Sequence, residues 1–240
     1  MAMDSAPTLP PGQKLRGIFP RFGLPWFAHK FPMVLDRVEI RIGGNVAQPV
    51  VVSRQLAALP RTEQVSDLHC VATWSRLDLH WSGVRFRDLY EQVVLPEARP
   101  LEGATTVIIR GQDGYIGIMQ LYDLLADDVL LADHLDGLPL TLERGAPIRL
   151  VAPAHYGYKG LKYVDRIEFW RDDRHYRFAG PSFLKLLEHR RGRVAFEERS
   201  DTLPNWVCQL IYPPIIGITA WMFRVGAAYY QRRQKKTVSD

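Results

Sequence analysis

The chemistry in this 240-residue sequence begins with its two cysteines, Cys70 and Cys208, which lie far apart in very different settings. Two cysteines at that spacing exclude a CxxC redox pair, a CxxCH haem attachment site, an iron-sulfur ligand set and a disulfide framework. Cys70 follows Leu68-His69 and precedes Val71-Ala72-Thr73, at what reads as a strand end or loop where a scaffold can present a thiol. In such company a lone cysteine is more often a small core residue, because free cysteine is among the most buried residue types. Nucleophilic catalysis needs a base, and in an extended chain His69 points to the opposite face from Cys70. His134 or His155 would reach the thiol only if the chain folds back. Tyr115, after Asp113-Gly114, is either a donor at a site or an ordinary half-buried strand tyrosine. Arg149, Lys159 and Lys162 fall among glycines that include Gly160. Guanidinium and ammonium groups make charge-assisted bonds to phosphate, and glycine lets the backbone approach a ligand closely. An isolated K-x-x-K would by itself read as a solvated basic loop.

The elements that must position these residues are many strands and few short helices, an α+β and β-rich pattern. Alternation predicts a strand over 34–42, ending at a Gly-Gly-Asn turn, and further strands over Thr105–Arg110, Tyr115–Met119, Ile148–Ala152 and Val164–Trp170. Ser53–Pro60 predicts a short helix with Ser53 as its N-cap, and Phe86–Val94 and Ser182–His189 predict two more. Residues 1–32, rich in proline and aromatics, read as an extended arm over a domain surface, and no internal repeat is visible.

Composition bounds the rest. Hydrophobic residues at 47% and charged residues at 24% are ordinary for a folded protein of one core. The net charge of +5 suits a phosphate-bearing cofactor, an anionic substrate, an acidic membrane or nucleic acid about equally. No zinc-finger spacing, basic zipper or paired-aromatic RNA-binding motif supports the last, so no nucleic-acid partner is expected. The first thirty residues hold no apolar run of signal-peptide length, which predicts a cytoplasmic protein.

The stretch Cys70-Val71-Ala72-Thr73-Trp74-Ser75, then Trp81-Ser82-Gly83-Val84, resembles the cysteine motif of the sulfite oxidase and methionine-sulfoxide reductase superfamily. Three later blocks resemble it in the same order: Asp113-Gly114-Tyr115, residues 144–153, and residues 155–164 from His155 through Lys159, Gly160, Leu161 and Lys162. The resemblance covers about Val34 to Trp170 and implies a sulfite-oxidase-type fold over residues 33–200 with Mo-molybdopterin as cofactor. It implies Cys70 as the molybdenum ligand and Tyr115 in the substrate pocket. Arg149, Lys159 and Lys162 take the places of basic cofactor ligands, with the Gly160-Leu161 backbone against the cofactor. A soft thiolate suits a metal also held by dithiolene sulfurs. The implied reaction is oxygen-atom transfer, with molybdenum cycling between +6 and +4 and a small sulfur-containing oxide or oxyanion as substrate. Electrons then pass through an external carrier, a cytochrome or membrane redox protein. The chain departs from the family at Arg144, where the reductase branch often carries asparagine; Arg76 is the candidate for the oxidase branch's anion-pocket arginine. A non-catalytic scaffold or a membrane-associated interaction protein is the alternative.

The last forty residues, 201–240, change character. Thr202 to Phe223 carries no charge and is followed by Arg224 and the cluster Arg232, Arg233, Lys235 and Lys236. Such a length approaches the roughly 30 Å hydrocarbon thickness of a bilayer, but Pro213-Pro214 is expected to break the helix. Packing on the domain or a partner, anchoring at a membrane surface, and spanning all stay open.

Overall fold

A computed structural model describes residues 9–17, 27–32, 37–180 and 182–239. In chain order the strands are β1 (Lys14–Leu15), β2 (Ile40–Gly44), β3 (Val50–Val52), β4 (Arg61–Cys70), β5 (Trp74–Arg85), β6 (Thr106–Gly111), β7 (Ile116–Gln120), β8 (Leu130–Leu135), β9 (Leu138–Pro139), β10 (Arg149–Val151) and β11 (Val164–Trp170). Helices α1 (Arg54–Ala58), α2 (Phe86–Leu89), α3 (Leu121–Leu124) and α4 (Asn205–Ser239) are joined by a π-helical turn at Tyr90–Ala98 and 3-10 turns at Leu142–Arg144 and Ser182–Leu187.

Among the described residues the strands form two sheets. One is β3-β2-β11-β6-β7, antiparallel except for the β2–β11 pair. The other is built on the long β5, which pairs with β1, β4 and β8, while β8 also pairs with β9 and β10. Their buried faces and α2 share one core, in which Ile40, Phe86, Leu89, Ile109, Leu150 and Phe169 are fully covered. β5 crosses β8 so closely that a Cβ on Gly83 would lie 2.2 Å from the Leu131 carbonyl oxygen, so only glycine fits there. A single α+β domain, rich in β, is the architecture the residue pattern predicts.

Details differ for physical reasons. The strand expected over 34–42 begins only at Ile40; residues 34–36 lie outside those described, and most of the expected N-terminal arm does too. Its described part does lie on the domain: Lys14–Leu15 pairs parallel to the start of β5, and Phe27 and Ala28 are buried. β4 and β8 are absent from the sequence pattern because β4, RTEQVSDLHC, buries fully only its last two residues and β8, LLADHL, only its first three. Ser53 precedes α1, but its side chain makes no capping bond; its backbone N–H instead donates to Gln55 Oε1 at 3.2 Å. The helix predicted from Phe86 to Val94 turns π-helical at Tyr90 and runs to Ala98, a wider winding that accommodates Pro96, which has no N–H to donate.

The C-terminal helix is the largest correction. α4 runs unbroken through Pro213 and Pro214. Its first turns are pinned from outside: Cys208 and Tyr212 are buried against Cys70, Ala72 and Trp74, Tyr212 Oη donates to Leu187 O at 3.1 Å, and Gln209 Nε2 donates to Glu197 Oε1 at 3.1 Å. Both prolines are exposed, so water can satisfy the carbonyls that lose their helical donors. Tertiary packing here outweighs a local preference worth about 3 kcal/mol per proline.

Candidate functional site

Cys70 is the last residue of β4, and Trp74, its antiparallel partner, opens β5. The turn between them is three residues long, with Thr73 at φ 67° and its N–H donating to Cys70 O at 3.1 Å. Three-residue hairpin loops commonly carry such a left-handed residue. Long-range bonds fix the turn further. Gln13 Nε2 donates to Cys70 O at 3.1 Å, Ser75 Oγ donates to Gln13 Oε1 at 3.1 Å, and His69 Nδ1 lies 2.7 Å from Ser75 Oγ. Arg199, fully buried, donates to Val71 O at 2.6 Å and to Pro11 O at 3.1 Å. His69 thus turns away from the Cys70 side, as alternation requires.

Cys70 lines a cavity of about 270 Å³, together with Tyr115, Arg149, Gly160, Leu161 and Lys162. The fold therefore gathers six of the seven sequence-predicted site residues from β4, the loop before β7, β10 and the loop before β11. Lys159 is the exception and a correction. Its fully buried Nζ donates to Ile118 O at 3.0 Å and Arg190 O at 2.8 Å, away from the cavity, because neighbouring residues of a tight turn point in different directions. Burial lowers the Lys159 ammonium to about 8. Arg76 also lies outside: its guanidinium donates to Gly17 O at 3.3 Å at the surface. His134 pairs with Asp133 at 2.8 Å, and His155 lies 3.7 Å from Asp123, so neither is a base for Cys70.

Electrostatics separate the lining residues. Burial pushes the Cys70 thiol up to about 12, although Arg199 and Arg16 oppose the rise. Arg149 is 2% exposed, and burial lowers its guanidinium to about 10. Its Nη1 donates to Arg144 O at 3.0 Å and its Nη2 to Gly160 O at 3.2 Å, while Nε has no partner. Among the described residues no carboxylate pairs with it. A buried cation without a counter-charge is costly unless an anion joins it. Lys162 Nζ reaches Glu143 O at 2.7 Å on the same wall. Burial raises Tyr115 well above the ordinary phenol range, with Glu188 and Asp113 adding to the rise, and its ring meets Phe27 edge-on at 5.3 Å.

Sequence reasoning missed part of this site. Glu188, Leu187, Tyr212, Ile215, Thr219 and Phe223 also line the cavity, and α4 forms its roof. Nothing in the spacing of residues 182–223 connects them to Cys70, since the contact exists only after α4 docks.

No group of three or more His, Cys, Asp or Glu near enough to hold a metal occurs among the described residues. A metal held at Cys70 would need ligands beyond the described side chains, and a cofactor can supply them. An anionic cofactor also suits the uncompensated charge of Arg149. A family model described as "Oxidoreductase molybdopterin binding domain" matches residues 28–178. The chain belongs to that family. Membership assigns it a molybdopterin-binding domain, with Mo-molybdopterin as cofactor and an oxidoreductase's chemistry. Among its relatives, the "Uncharacterized oxidoreductase YuiH" of Bacillus subtilis is 33% identical over 174 residues, which is 71% of this chain and 83% of that protein. The protein-methionine-sulfoxide reductase catalytic subunits MsrP of Campylobacter jejuni and Gluconobacter oxydans are 28% and 30% identical, over 56% and 58% of this chain. The chain spans about half the length of these two, 49% and 47%. The sulfane dehydrogenase SoxCD of Paracoccus pantotrophus aligns in structure with a TM-score of 0.49 and 24% identity, over 56% of this chain and 38% of that one. Within this molybdopterin family, the roof lies outside the matched region, since every α4 residue follows position 178.

Proposed function

We propose that the chain reduces a neutral, apolar-flanked S-oxide or N-oxide by oxygen-atom transfer, rather than oxidising sulfite. The observation that carries this reading is the charge of the cavity wall. Arg149 and Lys162 are its lining cations among the described residues, and the cofactor phosphate engages both, while Asp113 and Glu188 are its lining acids. Arg76, the candidate for an anion pocket, is at the surface. A sulfite anion would meet carboxyl groups without a spare cation, whereas the Phe27, Trp74, Ile215 and Phe223 side chains suit an apolar substituent. The two MsrP relatives, named as sulfoxide reductase catalytic subunits, support the same direction.

When bound, the cofactor supplies the metal at which an oxygen atom and two electrons are exchanged. Cys70 serves as its thiolate ligand, held in place by Gln13 and Arg199 through the backbone of the turn. Arg149 and Lys162 bind the terminal phosphate, and Gly160 leaves room for the backbone to lie against the pterin; a Cβ there would already stand 3.0 Å from Leu150 O. Tyr115 Oη donates a hydrogen bond to the substrate oxide. Reduction of an oxide consumes two protons and two electrons and releases water. Glu188 Oε supplies a proton: its carboxyl is 9% exposed, accepts from Tyr176 Oη at 2.6 Å, and is raised above the usual carboxylate range by burial. Electrons arrive from an external carrier, as "catalytic subunit" in the relatives' names suggests.

A turnover panel on the metal-loaded protein tests the substrate. Reduced viologen should be oxidised with methyl phenyl sulfoxide or trimethylamine N-oxide, while sulfite with ferricyanide should give at least about 100-fold lower kcat/KM. The reverse ranking would overturn the proposal. Glu188→Gln is expected to lower kcat by about 10- to 100-fold with little change in KM. Because the folded carboxyl is raised, its acid form persists into less acidic solution, so wild-type kcat should fall as pH rises through that point. The Gln variant should lack this limb. An unchanged pH profile would remove Glu188 as the proton source.

A further inference from the structure

The roof helix has two faces of different fate. One is buried along its length, from Cys208 through Tyr212, Thr219 and Phe223 to Ala227. At Gly226 it approaches so closely that a Cβ would lie 2.0 Å from Ala28 O. The other face, stepping three, four or eight residues, exposes Trp206 at 66%, Leu210 at 67%, Ile218 at 65%, Trp221 at 58%, Val225 at 50% and Tyr229 at 58%. Single exposed apolar side chains are ordinary, but a continuous stripe of this kind marks a contact surface. Arg224 and Arg232 are exposed on α4, and Arg233, Lys235 and Lys236 follow in its last turns. No carboxylate occurs between Asp201 and Asp240.

We infer that this outer face of α4 lies in the headgroup region of an anionic membrane, parallel to the surface. Residues 205–230 are apolar and long enough to cross a bilayer by composition. Crossing would peel Cys208 to Ala227 from the domain and open the cavity, so the packed helix lies in the plane instead. Trp206, Trp221 and Tyr229 place amphipathic rings where interfacial aromatics concentrate. The basic end supplies the attraction to anionic lipid. A second copy docked on the same face would bring no carboxylate to Arg224 or Arg232 in either orientation, since residues 202–239 contain none. Docking would hold the cavity about one helix diameter, roughly 10 Å, from the headgroups. The inference does not depend on which oxide is reduced.

Co-sedimentation of the full chain with vesicles tests it. Binding is expected to phosphatidylcholine vesicles containing phosphatidylglycerol and should weaken with salt, while pure phosphatidylcholine retains at least about 10-fold less protein. Ile218→Glu with Trp221→Glu, on the outer face, should abolish binding while thermal unfolding and cofactor content stay as in the parent. Replacing Arg232, Arg233, Lys235 and Lys236 by glutamine should weaken binding at least about 30-fold. Retention in the supernatant with both vesicle types would overturn the inference. So would equal, salt-insensitive binding to both, or a dimer in solution that the Ile218→Glu, Trp221→Glu variant converts to monomer.

Discussion

Cys70→Ser protein, produced in cells that make the cofactor, is expected to retain less than about a tenth of the molybdenum of the parent and to lose turnover by well over 100-fold. That exceeds the 10- to 100-fold typical of changes to groups that only support a metal ligand. The physical reason is that the described residues provide no alternative cluster of ligands beside the cofactor, and serine's hydroxyl is a hard, weakly acidic donor. Folding should survive, because oxygen replaces sulfur at a turn whose backbone carbonyls are held by the Gln13 and Arg199 side chains. Metal analysis with pterin fluorescence, beside circular dichroism, separates the two effects. A folded serine variant with stoichiometric molybdenum and unchanged turnover would exclude Cys70 as the ligand.

Arg149→Met is expected to cut cofactor retention by at least about 30-fold, measured as the rate of pterin loss on dilution, yet to leave the cofactor-free chain within about 3 °C of the parent in thermal unfolding. Two terms of similar size oppose each other in the free chain. Removing a buried, uncompensated cation relieves a desolvation cost of a few kcal/mol. It also strips Arg144 O and Gly160 O of their donors, at about 1–3 kcal/mol each. For a chain of this size a net change of 1 kcal/mol moves the midpoint by only about 2–4 °C. With the phosphate present no such cancellation occurs, since losing one partner of a buried charge pair costs about 2–5 kcal/mol. A large drop in the free chain's midpoint would show that Arg149 serves the fold more than the cofactor.

Much of this was legible in the residues themselves. The β-rich α+β class and the β11 bounds, Val164–Trp170, follow from alternation, which works wherever one strand face is buried and the other is not. The presentation of Cys70 at a strand end or loop was readable too, because apolar and hydroxyl residues stand beside it. β4 escaped because its first eight residues, mostly polar and none fully buried, show no such contrast. The basic cavity wall was legible through the resemblance, as ordered blocks of basic residues and glycines, but the direction of each side chain was not. Lys159 and Lys162 stand three apart and differ in fate: one ends on Ile118 O inside the protein and the other on the cavity wall.

Residue types and their order determined the family and the cofactor and put Cys70 forward as the thiolate, because those depend on chemistry that short ordered blocks of chain carry. Tertiary structure alone decided what closes the site. α4 persists through two prolines only because Cys208 and Tyr212 are held against the Cys70 turn, and by docking there it brings Ile215, Thr219 and Phe223 over a cavity some 150 residues earlier in their origin at Cys70. Local preference counts only neighbours along the chain, whereas the free energy that seats this helix comes from surfaces that meet after folding.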